Sequence, residues 1–239
     1  MEITFSDAMF ECDSREYEIL FNAALNIKGV PGAVVEIGTR RGGSAKLIMD
    51  ALVTVGDAAR SMFCIDPYGN LDYVQTNKSM HVHNLGVQMG VNSAEVIEIT
   101  GDPLSMELTA PTKLDYTNAM RNDIIPSLYY YAYQQGLNFT FFCLEDSEFF
   151  ARYANGVPVY DNGKKIEDQY AFVFFDGPHT TEAVMYEVEF FLTRCPIGAA
   201  FVFDDIWMYD HDKVEQILLA HGFGVFEKKI VKASYIKAR

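Results

Sequence analysis

Two short apolar runs each end abruptly in acid. Tyr170-Ala-Phe-Val-Phe-Phe leads into Asp176-Gly-Pro-His179, and Gly198-Ala-Ala-Phe-Val-Phe leads into Asp204-Asp205. Carboxylates brought together at the mouth of an apolar sheet repel, so they share protons, pair with basic groups or hold a cation. Asp is also a good helix N-cap. Capping would account for one of the three but not for an adjacent pair plus a third from a neighbouring strand. An all-oxygen donor set points to Mg2+ or a similar hard cation, six-coordinate at about 2.1 Å, rather than zinc. Asp176, Asp204 and Asp205 are therefore the candidate metal ligands. His179 lies one turn past the first of them. An imidazole titrates near pH 6.5 when unperturbed, which suits a general base; a fourth ligand or a helix-cap residue are the other readings.

A second constellation lies near the start of the chain, Glu36-x-Gly38-x-x-x-Gly42-x-Ser44. Glycines at such a turn let backbone approach a ligand at a helix N-terminus. Arg40 stands where a Gly-x-Gly-x-x-Gly pattern needs its second glycine, which argues against a nucleotide phosphate. Asp66 ends the next apolar run, where an acid can accept both hydroxyls of a ribose. Asp146 follows the next core run and suits an adenine amino group. A strand-end acid is common, but acids recurring at successive strand ends are more specific.

The elements that must position these groups follow from the hydrophobic pattern. Continuous runs rich in Phe and Val read as strands buried on both faces, hence parallel ones. The helical run between Asp176 and Asp204 makes a right-handed crossover, so both acidic tips share the ligand-binding edge of the sheet. Upstream, 13–28 reads as an amphipathic helix with Asp13 and Glu16 spaced as a capping box. A strand over 33–38, a helix capped by Ser44 and a strand over 61–66 come next. Residues 67–117 read as an insertion over the ligand edge, a candidate lid; His81 and His83 within it read as solvated. A helix over 118–135, a core strand to Leu144 and a short helix over 147–154 follow. Asn162-Gly163 marks a surface hairpin over 156–166. A helix running from Tyr209 to about Ala220 and two antiparallel strands, 223–231 and 234–237, close the chain. The expected fold class is α/β: one doubly wound, Rossmann-like sheet of about seven strands, residues 1–239 forming a single domain.

Composition narrows the function. With 33 acidic against 19 basic residues the net charge is −14, and no basic run could form a phosphate footprint, which argues against nucleic acid. The first residues lack a signal-peptide layout and no apolar run approaches a membrane span. Cys12, Cys64, Cys143 and Cys195 are widely spaced and read as reduced thiols, so the expected setting is cytoplasmic.

Together these residues resemble the class I S-adenosylmethionine-dependent methyltransferases, and among them the metal-dependent O-methyltransferases of the catechol O-methyltransferase type. The resemblance covers 33–66 and 137–206. It implies that Glu36, Gly38, Gly42 and Ser44 embrace the methionine part of S-adenosylmethionine, that Asp66 binds ribose and Asp146 lies on the adenine side. It also implies that Asp176, Asp204 and Asp205 hold a divalent cation. His179 replaces the lysine that the catechol enzymes carry three residues after their first ligand. That arrangement resembles antibiotic-sugar O-methyltransferases, so the implied acceptor is a hydroxyl of a small molecule or sugar. A metal-bound hydroxyl would lose its proton to His179 and attack the sulfonium methyl. The cephalosporin hydroxylase group shares the layout. The rivals are a dinucleotide-dependent oxidoreductase and a non-catalytic cofactor-binding protein; a homo-oligomer is compatible with either.

Overall fold

The computed structural model describes residue 10, residues 14–69 and residues 117–238. The segment expected to form a lid, with His81 and His83, lies almost wholly outside the described residues, as do Asp13 and Cys12.

Seven strands form one sheet in the order β3-β2-β1-β6-β7-β9-β8. They are β1 (Ala33–Ile37), β2 (Ser61–Ile65), β3 (Asn138–Phe142), β6 (Tyr170–Phe175), β7 (Ala200–Phe203), β8 (Phe223–Lys228) and β9 (Ala233–Lys237). The first five are mutually parallel, while β9 runs antiparallel to both β7 and β8. This is the doubly wound sheet expected, with its antiparallel end pair. A separate hairpin joins β4 (Val157–Tyr160) to β5 (Lys164–Glu167), and Asn162 and Gly163 both take positive φ at its turn.

Side chains alternate across each strand, so every apolar run serves two cores. Val35, Ile37, Phe63, Val173, Phe175, Phe201 and Phe203 pack under α4 (Asp146–Arg152), α5 (Thr181–Leu192) and α6 (His211–Ala220). Val34, Met62, Cys64, Phe172, Phe174 and Val202 face α1 (Tyr17–Asn26), α2 (Gly43–Thr54) and α3 (Asn118–Gln135). Burial of each such Phe or Val contributes roughly 1.5–3 kcal/mol, which is why continuous apolar runs are strands here and not surface helices. Phe175 and Phe203, adjacent on β6 and β7, stack with centroids 4.5 Å apart just below the two acidic tips. Among the described residues no helix is long and apolar enough to cross a membrane.

Two local expectations change. The Glu16 carboxylate does not close a capping box on α1. Glu16 adopts a left-handed conformation (φ 59°), and its side chain accepts the backbone amides of Ile230, Val231 and Lys232 at 3.3, 2.9 and 2.9 Å. Three amides of one turn offer a carboxylate more than the single N-cap amide of a capping box does, and the result staples the chain's beginning to the β8–β9 turn. Ser44 is likewise not the cap of α2. Gly42 holds that position with φ 74°, which leaves the serine hydroxyl beside Glu36.

The tips of β1 and β6 are drawn together at Gly38. A Cβ there would lie 1.9 Å from the backbone oxygen of Asp176, and φ is +84°. That oxygen belongs to the residue whose own amide ends the ladder by donating to Ile37 O at 2.9 Å. Gly38→Ala is therefore predicted to cost at least about 3 kcal/mol, read as a lowered urea midpoint at unchanged m-value. A loss under about 1 kcal/mol would mean that the two tips can separate freely.

Candidate functional site

The first half of the site is the turn between β1 and α2. Glu36, the fourth residue of β1, is fully buried. Its Oε2 accepts from Thr39 Oγ1 and from Cys64 Sγ, each at 3.1 Å, while Oε1 is buried with no hydrogen bond among the described residues. Burial raises its pKa from 4.5 to about 7, with Ser44, Cys64 and Thr39 pulling the other way. Asp66 ends β2 and is 1% exposed. Its Oδ2 accepts the amides of Thr39 and Arg40, both at 3.0 Å, and its Oδ1 accepts the amide of Tyr68 at 3.0 Å. Arg40 and Tyr68 both sit at positive φ (39° and 49°), and the Tyr68 hydroxyl donates to Arg40 O at 2.6 Å. The strain of two non-glycine residues in the left-handed region is held by this one carboxylate. Asp66 thus shapes the turn, and one lone pair on Oδ1 remains for a further donor.

The second half is the acidic rim. Asp176, His179 and Asp205 come together: His179 Nε2 is 3.4 Å from Asp176 Oδ1 and 3.9 Å from Asp205 Oδ2. Helix capping does not explain these acids, because Thr180 caps α5 and Asp210 caps α6. Asp205 is held at φ 45°, and Trp207 Nε1 donates to its Oδ1 at 3.1 Å. Burial, and then the nearby Asp204 charge, push the Asp176 carboxyl well above the ordinary carboxylate range, against the pull of His179.

Asp204 is different. Its Oδ1 accepts from Lys232 Nζ at 2.6 Å, from Ser14 Oγ at 3.0 Å and from the Asp205 amide at 2.7 Å. Lys232 and Asp204 are 0% and 1% exposed. Burial and the Asp205 charge raise the Asp204 carboxyl, and the ammonium opposes both. The lysine on Asp204 does not fit the expected arrangement in which Asp176, Asp204 and Asp205 jointly ligate Mg2+. A divalent ion drawn to Asp204 would meet a lysine ammonium on the same buried oxygen, and the two positive charges would repel. Among the described residues no group of three His, Cys, Asp or Glu side chains is disposed to hold a metal ion.

The turn, by contrast, fits the cofactor that the resemblance implies. A buried carboxylate oxygen without a donor is what a cationic amine satisfies, and Gly38 and Gly42 take the positive φ that the turn beside it requires. Asp146 opens α4 rather than lying on a strand tip, and its Oδ1 accepts the Ser147 amide at 2.7 Å.

Three participants escaped the sequence reading. Lys232 and Ser14 left no local signal. Glu187 left one, a charge on the apolar stripe Val184, Val188 and Phe191 of α5. It is fully buried, a Cβ at Gly177 would lie 2.8 Å from its Oε1, and burial followed by the Asp146 charge holds its carboxyl well above the usual range. It lies directly beneath the loop that carries His179.

No family model matches the chain and no curated protein matches its sequence. Solved structures do match its shape. The O-methyltransferase NovP is 17% identical over 93% of this chain and 79% of its own, with a TM-score of 0.51. CalS11, a calicheamicin methyltransferase, is 12% identical over 92% and 76%, with a TM-score of 0.53. A Staphylococcus aureus protein assigned as a caffeoyl-CoA O-methyltransferase is 10% identical over 96% and 86%, with a TM-score of 0.50. At these identities the likeness concerns the fold alone, an α/β fold that this chain shares with these O-methyltransferase structures.

Glu36 carries a pH dependence with a definite sign. Between pH 4.5 and about 7 the folded chain keeps a proton that the unfolded chain has released, so stability falls as pH rises through that window. The full effect, up to about 3 kcal/mol, is present above pH 7. Asp66, Asp176, Asp204 and Glu187 shift in the same direction, so the measurement is a difference. The stability of Glu36→Gln minus that of the parent should grow from pH 5 to pH 8 in urea titrations. A constant difference would show that Glu36 is ionised throughout.

Proposed function

We propose that this chain is an S-adenosylmethionine-dependent methyltransferase acting on a hydroxyl of a small molecule, sugars included. The observation that carries the reading is a juxtaposition. A turn with an unsatisfied buried carboxylate oxygen at Glu36 is in backbone contact, through Gly38 and Asp176, with a rim where His179 faces two carboxylates. The fold shared with NovP and CalS11 supports the same reading. The net charge of −14 favours a small acceptor over a nucleic acid.

In this reading Glu36 receives the amine of the cofactor's methionine part, and Gly38, Gly42 and Ser44 form the turn around it. Asp66 contributes chiefly by holding the amides of that turn, and Asp146 lies on the adenine side. S-adenosylmethionine, when bound, supplies a methyl group on a positively charged sulfur. His179 would take the proton of the acceptor hydroxyl as that hydroxyl's oxygen bonds to the methyl carbon and the carbon–sulfur bond breaks, leaving a neutral thioether. Asp176, within ion-pair reach of Nε2, orients the ring and stabilises the imidazolium that forms. Glu187 supports the loop from below. Alignment of the acceptor oxygen with the methyl group provides much of the rate, since the two otherwise meet only by diffusion.

The test is S-adenosylmethionine binding by calorimetry, followed by S-adenosylhomocysteine formation with a panel of hydroxylated acceptors. His179→Ala should slow turnover by on the order of 10²–10⁴ while cofactor affinity stays within about twofold, because the imidazole serves the acceptor and not the cofactor. Absence of cofactor binding by the parent chain would sink the reading. An unchanged rate in the variant would remove His179 from it.

A further inference from the structure

Lys232 is the buried cation of this molecule's acidic rim. Its side chain is 0% exposed, with Nζ 2.6 Å from Asp204 Oδ1, 2.9 Å from Ser14 Oγ and 4.5 Å from the ring centre of Tyr17. An ammonium is expensive to desolvate and persists inside a protein only with a carboxylate and further polar or aromatic partners around it. All three are present. The placement is also enforced from outside the pair. The Lys232 amide, with those of Ile230 and Val231, is held by Glu16, and Lys229 pairs with Glu18 on the first turn of α1. The β8–β9 turn therefore cannot swing Lys232 away from Asp204 without breaking the grip of the chain's N-terminal segment.

We propose that Lys232 does at this rim what a divalent ion would otherwise do: it neutralises Asp204 from within the fold, so that the chain binds no divalent cation there and methyl transfer needs none. The remaining two acids then face His179 instead of a metal, which leaves them free to orient a base. The idea deepens the methyltransferase reading and rests on it only for the statement about turnover; the statement about ion binding stands on the Lys232–Asp204 geometry alone. Lys232 is a positioning residue here, since it acts on the acceptor through the charge it gives Asp204.

The experiment is thermal melting and Mn2+ calorimetry on the parent chain, on Lys232→Met and on the double variant Asp204→Asn/Lys232→Met, each with chelator and with millimolar Mg2+. The parent should melt identically in both conditions and give no saturable Mn2+ heat. Lys232→Met leaves Asp204 buried and uncompensated beside two other acids, so it should melt on the order of 10 °C lower. Mg2+ should then raise its melting temperature with concentration, because the ion binds only the assembled site. The double variant should recover part of the loss and respond less to Mg2+. A merely structural ion pair would lower the melt without creating that metal response. If Lys232→Met does not fold, the parent's melt and calorimetry decide alone. Saturable Mn2+ binding by the parent, a chelator-sensitive parent melt, or a folded Lys232→Met indifferent to Mg2+ would each overturn the proposal. Turnover abolished by chelator and restored by Mg2+ would do the same. Failure to bind S-adenosylmethionine would instead strike the methyltransferase reading and leave the metal result standing.

Discussion

Gly38 has no side chain, and the site depends on that. Its Cα lies against the backbone oxygen of Asp176, where a Cβ would approach to 1.9 Å, so the tips of β1 and β6 converge more closely than two side-chain-bearing residues would allow. The chain leaving β1 must then turn sharply, and Thr39 and Arg40 direct their amides at the Asp66 carboxylate on β2. Three neighbouring strands are tied at one edge by one glycine and one acid. The glycine turn and the acidic rim follow as the two sides of a single crossing point.

Burial at that edge raises the energy of every carboxylate it encloses, and each is answered in its own way. Asp66 receives backbone amides, Asp204 a lysine ammonium and a serine hydroxyl, Asp176 an imidazole. Glu36 has donors on one oxygen only, and Glu187 makes no hydrogen bond of normal geometry among the described residues. The groups with complete partners hold the architecture in place. The incompletely answered Glu36 is the one best placed to gain from a ligand, while burial and the Asp146 charge hold the Glu187 carboxyl well above the usual range.

The same division bears on the three aspartates that the sequence offers as metal ligands. Three aspartates at two adjacent strand tips meet the chemical requirement for a hard cation, and their convergence is real. What the pattern does not contain is the lysine that reaches Asp204 from the turn between β8 and β9. Its partner Ser14 lies 190 residues from Asp204 and 218 from Lys232.

The apolar runs ending in Asp66, Asp176 and Asp204 revealed the parallel strands, because two-sided burial forces a continuous hydrophobic run that nothing else in a short segment requires. The glycine spacing at 38 and 42 revealed the turn, because only glycine tolerates those backbone angles at such close approach. These are local constraints, written within a few residues of where they act. The occupant of each carboxylate oxygen is not local. Glu16 was free to cap its own helix by spacing alone, yet it grips amides more than 200 residues away, since three donors in one turn outbid one. Glu187 lay open to view on an apolar helical stripe, but its place beneath Gly177 depends on how α5 packs across β6. The sequence by itself determined the strands, their chemistry-bearing tips and the glycine turn. Only the tertiary structure decided which charge neutralises which, because that depends on distances of a few ångströms between different segments, more than 200 residues apart for Glu16 and the amides it holds.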